Sequence, residues 1–510
     1  MDRAGHVVKN LKFTAFSELV LALLKFLSRR VFVLLLGKEY LGINGLFTDI
    51  LSMLSLAELG FGVSVTYNLY RPVAQGDTEL IKSLMRLYGR FYRAVGGAVL
   101  AAGLSLLPFL DFFVKEMPEN VSNLSLIYAL NVINAGVSYF FSYKSTLLFV
   151  CQKKYVDSLI RAAASLAAVA AQTGVLLITR NYLYYLYIAI LSTVVQNVVM
   201  SVKTDRLYPY LREKDVLPVP AGIMEDIRRN VSAMVLHRIG SVAVFGTDNL
   251  LISKFVGIGM TGLYSNYIMI RNFLNTMINT VFNAITPAMG NLNVTKTGEE
   301  KVRTFNQLNF FGAWLFGWMS ICLMWLYDPF IRIWLGDDFL LPGPVVLLIV
   351  VNFYVNSMRI PVANTKSVMG LFWDERYKSI LEAIMNLAVS VILAGRWGIG
   401  GILMGTLVST WSLPFWIEPL GLYRHGLKRR VRTYFARYFC YLSVTVLAGL
   451  LTGLMCTMAG GAVPGFLVRT VLCLVIPNGV YLAAYRRTEE FRFIRGLLKV
   501  MVKRMLLTRI

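Results

Sequence analysis

The sequence predicts an all-α integral membrane protein of about fourteen transmembrane helices, arranged as two pseudo-symmetric six-helix lobes plus two C-terminal helices. Three observations carry this. Of 510 residues, 56% are hydrophobic and 15% charged, with a mean hydropathy of +0.60; soluble domains carry about 25% charged residues. Apolar runs of roughly 20 residues recur along the chain, each long enough to cross a bilayer. They are continuous and do not alternate, which excludes a transmembrane barrel. Lys and Arg concentrate in alternate loops, as they do where helices pass back and forth through a membrane.

Taken in order, the N-terminus is basic (Arg3, Lys9, Lys12) and leads into an apolar segment carrying Glu18, Lys25, Arg29 and Arg30. No small-residue cleavage site follows, so the segment reads as a first span and not as a signal peptide. The first six spans fall at 12–36, 43–69, 84–110, 123–149, 156–179 and 182–202. A polar link, 203–230, carries Pro209, Pro218 and Pro220 and is the longest stretch outside the membrane. Eight spans follow at 231–253, 259–289, 304–327, 343–369, 377–395, 399–422, 434–457 and 464–485. The expected division is an N-terminal lobe (1–202), a cytoplasmic link (203–230), a C-terminal lobe (231–423), and two extra spans with a basic tail (424–510).

The basic loops hold Arg71, Lys82 and Arg86; Lys153 and Lys154; and Arg424, Lys428, Arg429, Arg430 and Arg432, among others. The intervening loops hold one basic residue or none. Both termini and the link are therefore expected in the cytoplasm, in a bacterial plasma membrane. The net charge of +23 follows mostly from this asymmetry and needs no nucleic acid partner. The tail (486–510) spaces Arg492, Arg495, Lys499 and Lys503 as on one helix face. It reads equally as an amphipathic helix on anionic lipid or as a basic tail without a specific role.

An internal repeat is visible. LGINGLFTDI (41–50) lines up with IGMTGLYSNY (258–267), setting Gly42 on Gly259, Gly45 on Gly262 and Asp49 on Asn266. Each copy opens an apolar run, and each follows another run ending in Lys (Lys38, Lys254). The two copies share one orientation, which implies a pseudo-two-fold axis along the membrane normal.

Several spans carry polar residues at helical spacing, which puts them on one face. Charges inside a span are costly and generally face the bundle interior or a wet cavity. Lys25, Arg29, Arg238, Arg271 and Arg359, drawn from both halves, point to an anion site in one central cavity. Guanidinium groups grip phosphate as a fork, and Lys acts as a point charge. Asn275, with Asn and Ser ladders at 131–145 and 352–356, would suit sugar hydroxyls, since amides donate and accept. Asp49, Glu58 and Asp248 are the candidate ion-coupling groups. The other reading of each charge is a structural ion pair, and of each Asn or Ser an interhelical bond.

No catalytic constellation, metal spacing or nucleotide motif is found, so no enzyme, metal or cofactor is expected. The cysteines (Cys151, Cys322, Cys440, Cys456, Cys473) are scattered and read as packing residues. Pro287, Pro361 and Pro414 lie in or near spans and would kink them.

The run LGKEYLGINGLFTDILSMLSLAELGFG (36–62), followed by NLYRP (68–72), resembles the second span and its flanks in Wzx-type flippases for lipid-linked oligosaccharides. These belong to the MOP (multidrug/oligosaccharidyl-lipid/polysaccharide) exporter superfamily, with the MATE drug exporters and the lipid II flippases. The similarity is strongest over 1–160 and continues weakly through the GxxGLY motif at 259–264. It implies flipping of an undecaprenyl-pyrophosphate-linked glycan by alternating access. It also implies basic cavity residues from the first, second, seventh and eighth spans. Lys25, Arg29, Arg238 and Arg271 occupy three of these; the second span offers only acids. Membrane lipids, a polysaccharide polymerase and glycosyltransferases are the expected partners, and a monomer the expected state. A cation-coupled drug or metabolite antiporter of the MATE type is the alternative on the same fold. A net-basic cavity disfavours cationic drugs, because like charges repel strongly at low dielectric.

Overall fold

The structure, a computed structural model, describes residues 3–55, 61–114, 121, 123–213, 215–229, 231, 247–295, 298–369, 371, 378–493 and 495–496, with side chains described from residue 20 except at 63 and 283–295. Most of the predicted seventh span, part of the second, and the tail beyond 496 lie outside the described residues. Among the described residues, eight helices are long and apolar enough to cross a membrane, or nine if the bent pair Thr78–Ser105 and Leu107–Phe113 is one span. This is a multi-pass, all-α membrane protein. The described residues form two compact units, Met1–Ser265 and Asn266–Ile510.

In the first unit, α1 (Arg3–Leu54) is two helices joined across a kink at Gly37 (φ +88°). A left-handed φ of that kind suits glycine, which has no Cβ to clash. One residue thus divides the first predicted span from the second. The helices α2 (Phe61–Gln75), α3 (Thr78–Ser105), α4 (Leu110–Phe113), α5 (Leu124–Ser142), α6 (Lys144–Val150), α7 (Lys154–Thr179) and α8 (Tyr182–Leu207) follow. Start signals are conventional: Asp77 accepts from the Leu80 N–H at 3.0 Å, and Asn181 accepts from the Leu183 N–H at 2.8 Å. Each satisfies a helix N–H that has no partner within the helix. α1 packs on α7, and α5 packs against both α3 and α8.

The predicted link does not stand apart. Tyr208, Leu211 and Ile227 pack into a core of Phe61, Val65, Leu69, Leu84 and Tyr88 from α2 and α3. Lys82, with its side chain only 4% exposed, pairs with Glu213 at 2.5 Å and Glu79 at 2.6 Å. The Ser83 hydroxyl donates to the Leu217 carbonyl at 2.7 Å. Burying an ammonium this deeply requires two carboxylates to offset its desolvation.

α9 (Asp248–Phe255) and α10 (Ile258–Thr295) follow, the latter running from the first unit into the second. The second unit continues with α11 (Gly298–Trp334), α12 (Gly343–Ser357), α13 (Ile360–Met369), α14 (Lys378–Ser412), α15 (Pro414–Gly421), α16 (Arg432–Cys456) and α17 (Val463–Tyr485). α14 breaks at Gly398 (φ +53°), which divides the predicted eleventh and twelfth spans as Gly37 divides the first two. α16 and α17, the two extra spans, pack on α11 through its indoles. Trp314 donates to Asn478 Oδ1 (2.8 Å), Trp318 to the Cys473 carbonyl (3.0 Å) and Trp325 to the Gly449 carbonyl (3.0 Å). A Cβ at Gly453 would collide with the Trp325 ring, so this contact demands glycine.

Several polar ladders are internal fittings. The hydroxyls of Ser138 and Ser142 donate to carbonyls of α5, Ser145 of α6 donates to Ser142 O at the end of α5, and Asn131 donates to Ile127 O. Asn197 bridges to Ser138 O (3.3 Å) and Asn352 to Leu403 O (3.0 Å), both between helices. For these amides the interhelical reading is the one the geometry supports.

Candidate functional site

The two repeat copies meet within the first unit. Gly37 (φ +88°) and Gly257 (φ +133°) each precede a helix start, at Lys38 and Ile258. A Cβ at Gly42 would collide with the Ile258 carbonyl oxygen, and a Cβ at Gly262 with the Lys38 carbonyl oxygen. These contacts are the same contact with the copies exchanged. A third pair obeys the same exchange: a Cβ at Gly45 would stand 3.7 Å from Asn249 Cγ, in ordinary contact, as Ser265 lies against Arg29. Gly37 therefore corresponds to Gly257, and Gly42 to Gly262. The sequence alignment, which sets Gly42 on Gly259, is corrected by three positions. Three residues are just under one helical turn, so the wrong register still brought similar residues to nearly the same face.

Arg29 and Asp49 are held at this crossing. Arg29 Nη2 donates to Ser265 O (3.3 Å) and Ser265 Oγ (3.4 Å), while its buried Nε has no hydrogen-bond partner. Among the described residues no carboxylate pairs with it. The Tyr185 phenol lies nearby. Lys25 is exposed, one turn earlier on α1. Asp49 Oδ2 accepts from the Asn249 N–H at 3.1 Å, capping α9 from another helix. A carboxylate there also meets the positive end of the helix dipole. Asp248 is buried, and its Oδ2 accepts from the Tyr264 hydroxyl at 2.9 Å.

In the second unit, Arg271 and Asn275 sit one turn apart on α10, both half-buried. Arg271 lies within electrostatic reach of Tyr327, its Nε is buried without a partner, and no carboxylate pairs with it among the described residues. Leaving a buried charged donor unsatisfied costs more than the ~1–3 kcal/mol of a neutral one. Arg359 is different, and the anion-ligand reading of it is corrected here. It bonds Glu418 at 2.7 Å and Glu382 at 3.1 Å, with Asn356 Oδ1 accepting a further bond. Lys378 pairs with the same Glu418. Two cations and two carboxylates close a neutral, buried network, so Arg359 is a structural ion pair. Arg238 and Glu58 lie outside the described residues, and nothing is described of the Glu18 side chain.

Glu382, Glu418, Asn249 and Ser265 were not singled out from sequence. A lone Glu in an apolar run was a legible signal for the first two, since a membrane-buried carboxylate calls for a cation. Nothing marked Asn249, and Ser265 stood out only as a position of the repeat, because their contacts come from which helix lies opposite.

No family model matches the sequence, and no curated protein matches it. Solved structures do. The lipid II flippase MurJ in an inward closed conformation superposes with a TM-score of 0.63 at 11% identity, covering 94% of this chain and 99% of that one. An inward-facing multidrug resistance MATE family transporter of the MOP superfamily gives 0.58 at 16% identity, covering 79% and 96%. A MOP superfamily transporter from Pyrococcus furiosus gives 0.56 at 16% identity, covering 84% and 98%. Over nearly its whole length, then, the chain has the fold of the MOP superfamily, shared by lipid II flippase and MATE transporters.

Proposed function

We propose that the protein is a flippase that moves an undecaprenyl-pyrophosphate-linked oligosaccharide from the cytoplasmic to the outer leaflet by alternating access, for cell-surface polysaccharide synthesis. The observation that carries this is a pair of guanidinium groups, Arg29 and Arg271. Each has a buried Nε without a partner and no carboxylate mate among the described residues. Cations in hydrocarbon cost ~2.5–3.5 kcal/mol each on insertion scales. A substrate pyrophosphate would offset that cost and would match the fork geometry of Arg. Lys25 and Asn275, each one turn from an arginine, would add a point charge and an amide for the sugar. Arg238 belongs to the same proposal. The neighbours support the reading, since one is described as a lipid II flippase. Another is described by a reversed polarity of its binding pocket that suggests a different function.

The proposed organisation has lobes 1–202 and 231–423 joined by a cytoplasmic link, in a bacterial plasma membrane. The glycine crossing near Gly37 and Gly257 would lie on the outer side, because its loops are the weakly basic ones. The competing reading is a cation-coupled antiporter, which needs Asp49 or Asp248 to exchange ions. The bonds Asp49 makes to the α9 N-terminus and Asp248 to Tyr264 argue for structural work instead.

The test is surface glycan output measured together with membrane protein level. Arg271→Ala is expected to lower output at least tenfold at unchanged protein level, and Arg271→Lys to restore it only partly. Normal output from the Arg29→Ala/Arg271→Ala double variant would overturn the anion site.

A further inference from the structure

The basic stretch between the predicted twelfth and thirteenth spans reads, in sequence, only as a topology signal. The structure folds it into a cavity. A π-helical turn, Leu422–Leu427, follows α15, and Lys428 takes a left-handed φ of +51°. The Arg429 N–H then donates back to Tyr423 O (3.0 Å), and Thr433 Oγ1 donates to Arg430 O (2.8 Å). Isolated π-turns are rare and tend to mark functional sites. Around the fold lies a cavity of about 680 Å³ lined by Arg424, Lys428, Arg429, Arg430 and Arg437 over a buried Tyr423. Asn306 adds a neutral amide donor.

The charge in this cavity is not balanced. Arg429 meets Glu299 at 3.2 Å and Arg437 meets Glu490 at 2.7 Å. Arg424, Lys428 and Arg430 have no carboxylate partner among the described residues. Like charges held within a Debye length of ~8 Å repel one another, and an anion seated among them would reverse that cost. The volume is that of a small-molecule site, ~300–1,000 Å³. The two guanidinium forks without a carboxylate, Arg424 and Arg430, favour the tetrahedral oxygens of a phosphoryl group over a spherical halide.

The cavity also lies where a membrane surface would be. Arg437 is in the second turn of α16, and Trp416 packs at a tilt against Phe435 with centroids 4.7 Å apart. Trp416 and Phe439 expose 46% and 41% of their surfaces. Aromatic side chains of this kind gather at the lipid–water boundary, and basic pockets between helices there take phosphate headgroups. We propose that this cavity binds a phosphoryl anion, carried either on a membrane lipid headgroup or on a free phosphate compound. The site is separate from the arginines of α1 and α10 and does not depend on what the protein transports.

The test uses the full chain, purified, and needs no transport assay. Fluorescent phosphatidylglycerol is titrated in nanodiscs of phosphatidylcholine, and inorganic pyrophosphate is titrated in detergent. Three proteins are compared: wild type, Arg424→Gln/Lys428→Gln/Arg430→Gln, and Arg71→Gln/Arg86→Gln/Arg90→Gln, which removes as many exposed cations elsewhere. The pocket variant is expected to bind at least tenfold more weakly and the control less than threefold. A loss confined to phosphatidylglycerol assigns the ligand as lipid, and a loss confined to pyrophosphate assigns it as a free phosphate. Thr433→Glu, which brings a carboxylate to the pocket wall and leaves every cation in place, should weaken binding likewise at unchanged melting temperature. Equal losses in the two triple variants, or no binding of either probe by wild type, would overturn the proposal.

Discussion

Arg271 and Arg359 are both arginines on polar stripes inside apolar runs, yet their surroundings separate them. Arg359 is clasped by Glu382 and Glu418, whose side chains are 5% and 6% exposed. Removing it would strand two buried carboxylates with only Lys378 for company. Breaking a buried pair in this way costs about 3–5 kcal/mol. Arg359→Ala is therefore expected to lower the melting temperature and the membrane yield of the protein, whereas Arg271→Ala should leave both near wild type. Melting curves of the two purified variants decide it, and equal stability would mean that the Arg359 network is dispensable. Sequence periodicity placed both arginines on helix faces, which is as far as spacing reaches. Whether a carboxylate waits across the interface depends on Glu382 and Glu418, which lie on α14 and α15, well along the chain. For Arg29, likewise, the stripe was legible and its contact with Ser265 was not.

At the scale of elements, the crossing of α1 with the start of α10 is set by glycine. Gly42 and Gly262 let two backbones approach to the point where a methyl group would strike a carbonyl oxygen. Gly259 has room, its nearest neighbour being Lys38 Cε at 3.8 Å from a Cβ. Overpacking a close contact costs ~1–3 kcal/mol, often with backbone shifts. Gly42→Val should destabilise the purified protein by about that amount and reduce its membrane level; Gly259→Ala should do neither. A thermal shift of similar size in both would contradict the crossing. The repeat itself was visible because glycine and aromatic residues recur in order. Its register was not, because an α-helix presents nearly the same face after three residues and sequence matching rewards identical letters. The positive-φ glycines, Gly37 and Gly257, fix the register by conformation.

At the scale of the whole molecule, the fold class follows from composition, because a bilayer admits only helices or closed barrels and continuous apolar runs exclude the latter. α1 and α10 are not among the eight apolar helices, and they are the two that carry Arg29 and Arg271. Charges inside a span generally face the bundle interior or a wet cavity, so a strict apolar count passes over the two helices that carry the proposed anion ligands. Orientation rests on a separate physical effect, the retention of Lys- and Arg-rich loops on the cytoplasmic side. It is tested with single cysteines in a background where the five natural ones are replaced. Gly222 in the link is exposed, and a Cβ there would meet nothing within 4 Å. Asp338, in a weakly basic loop after α11, is also exposed. A membrane-impermeant maleimide should label Asp338→Cys on intact cells and leave Gly222→Cys untouched until the membrane is opened. If Gly222→Cys reacts from outside, every loop changes sides.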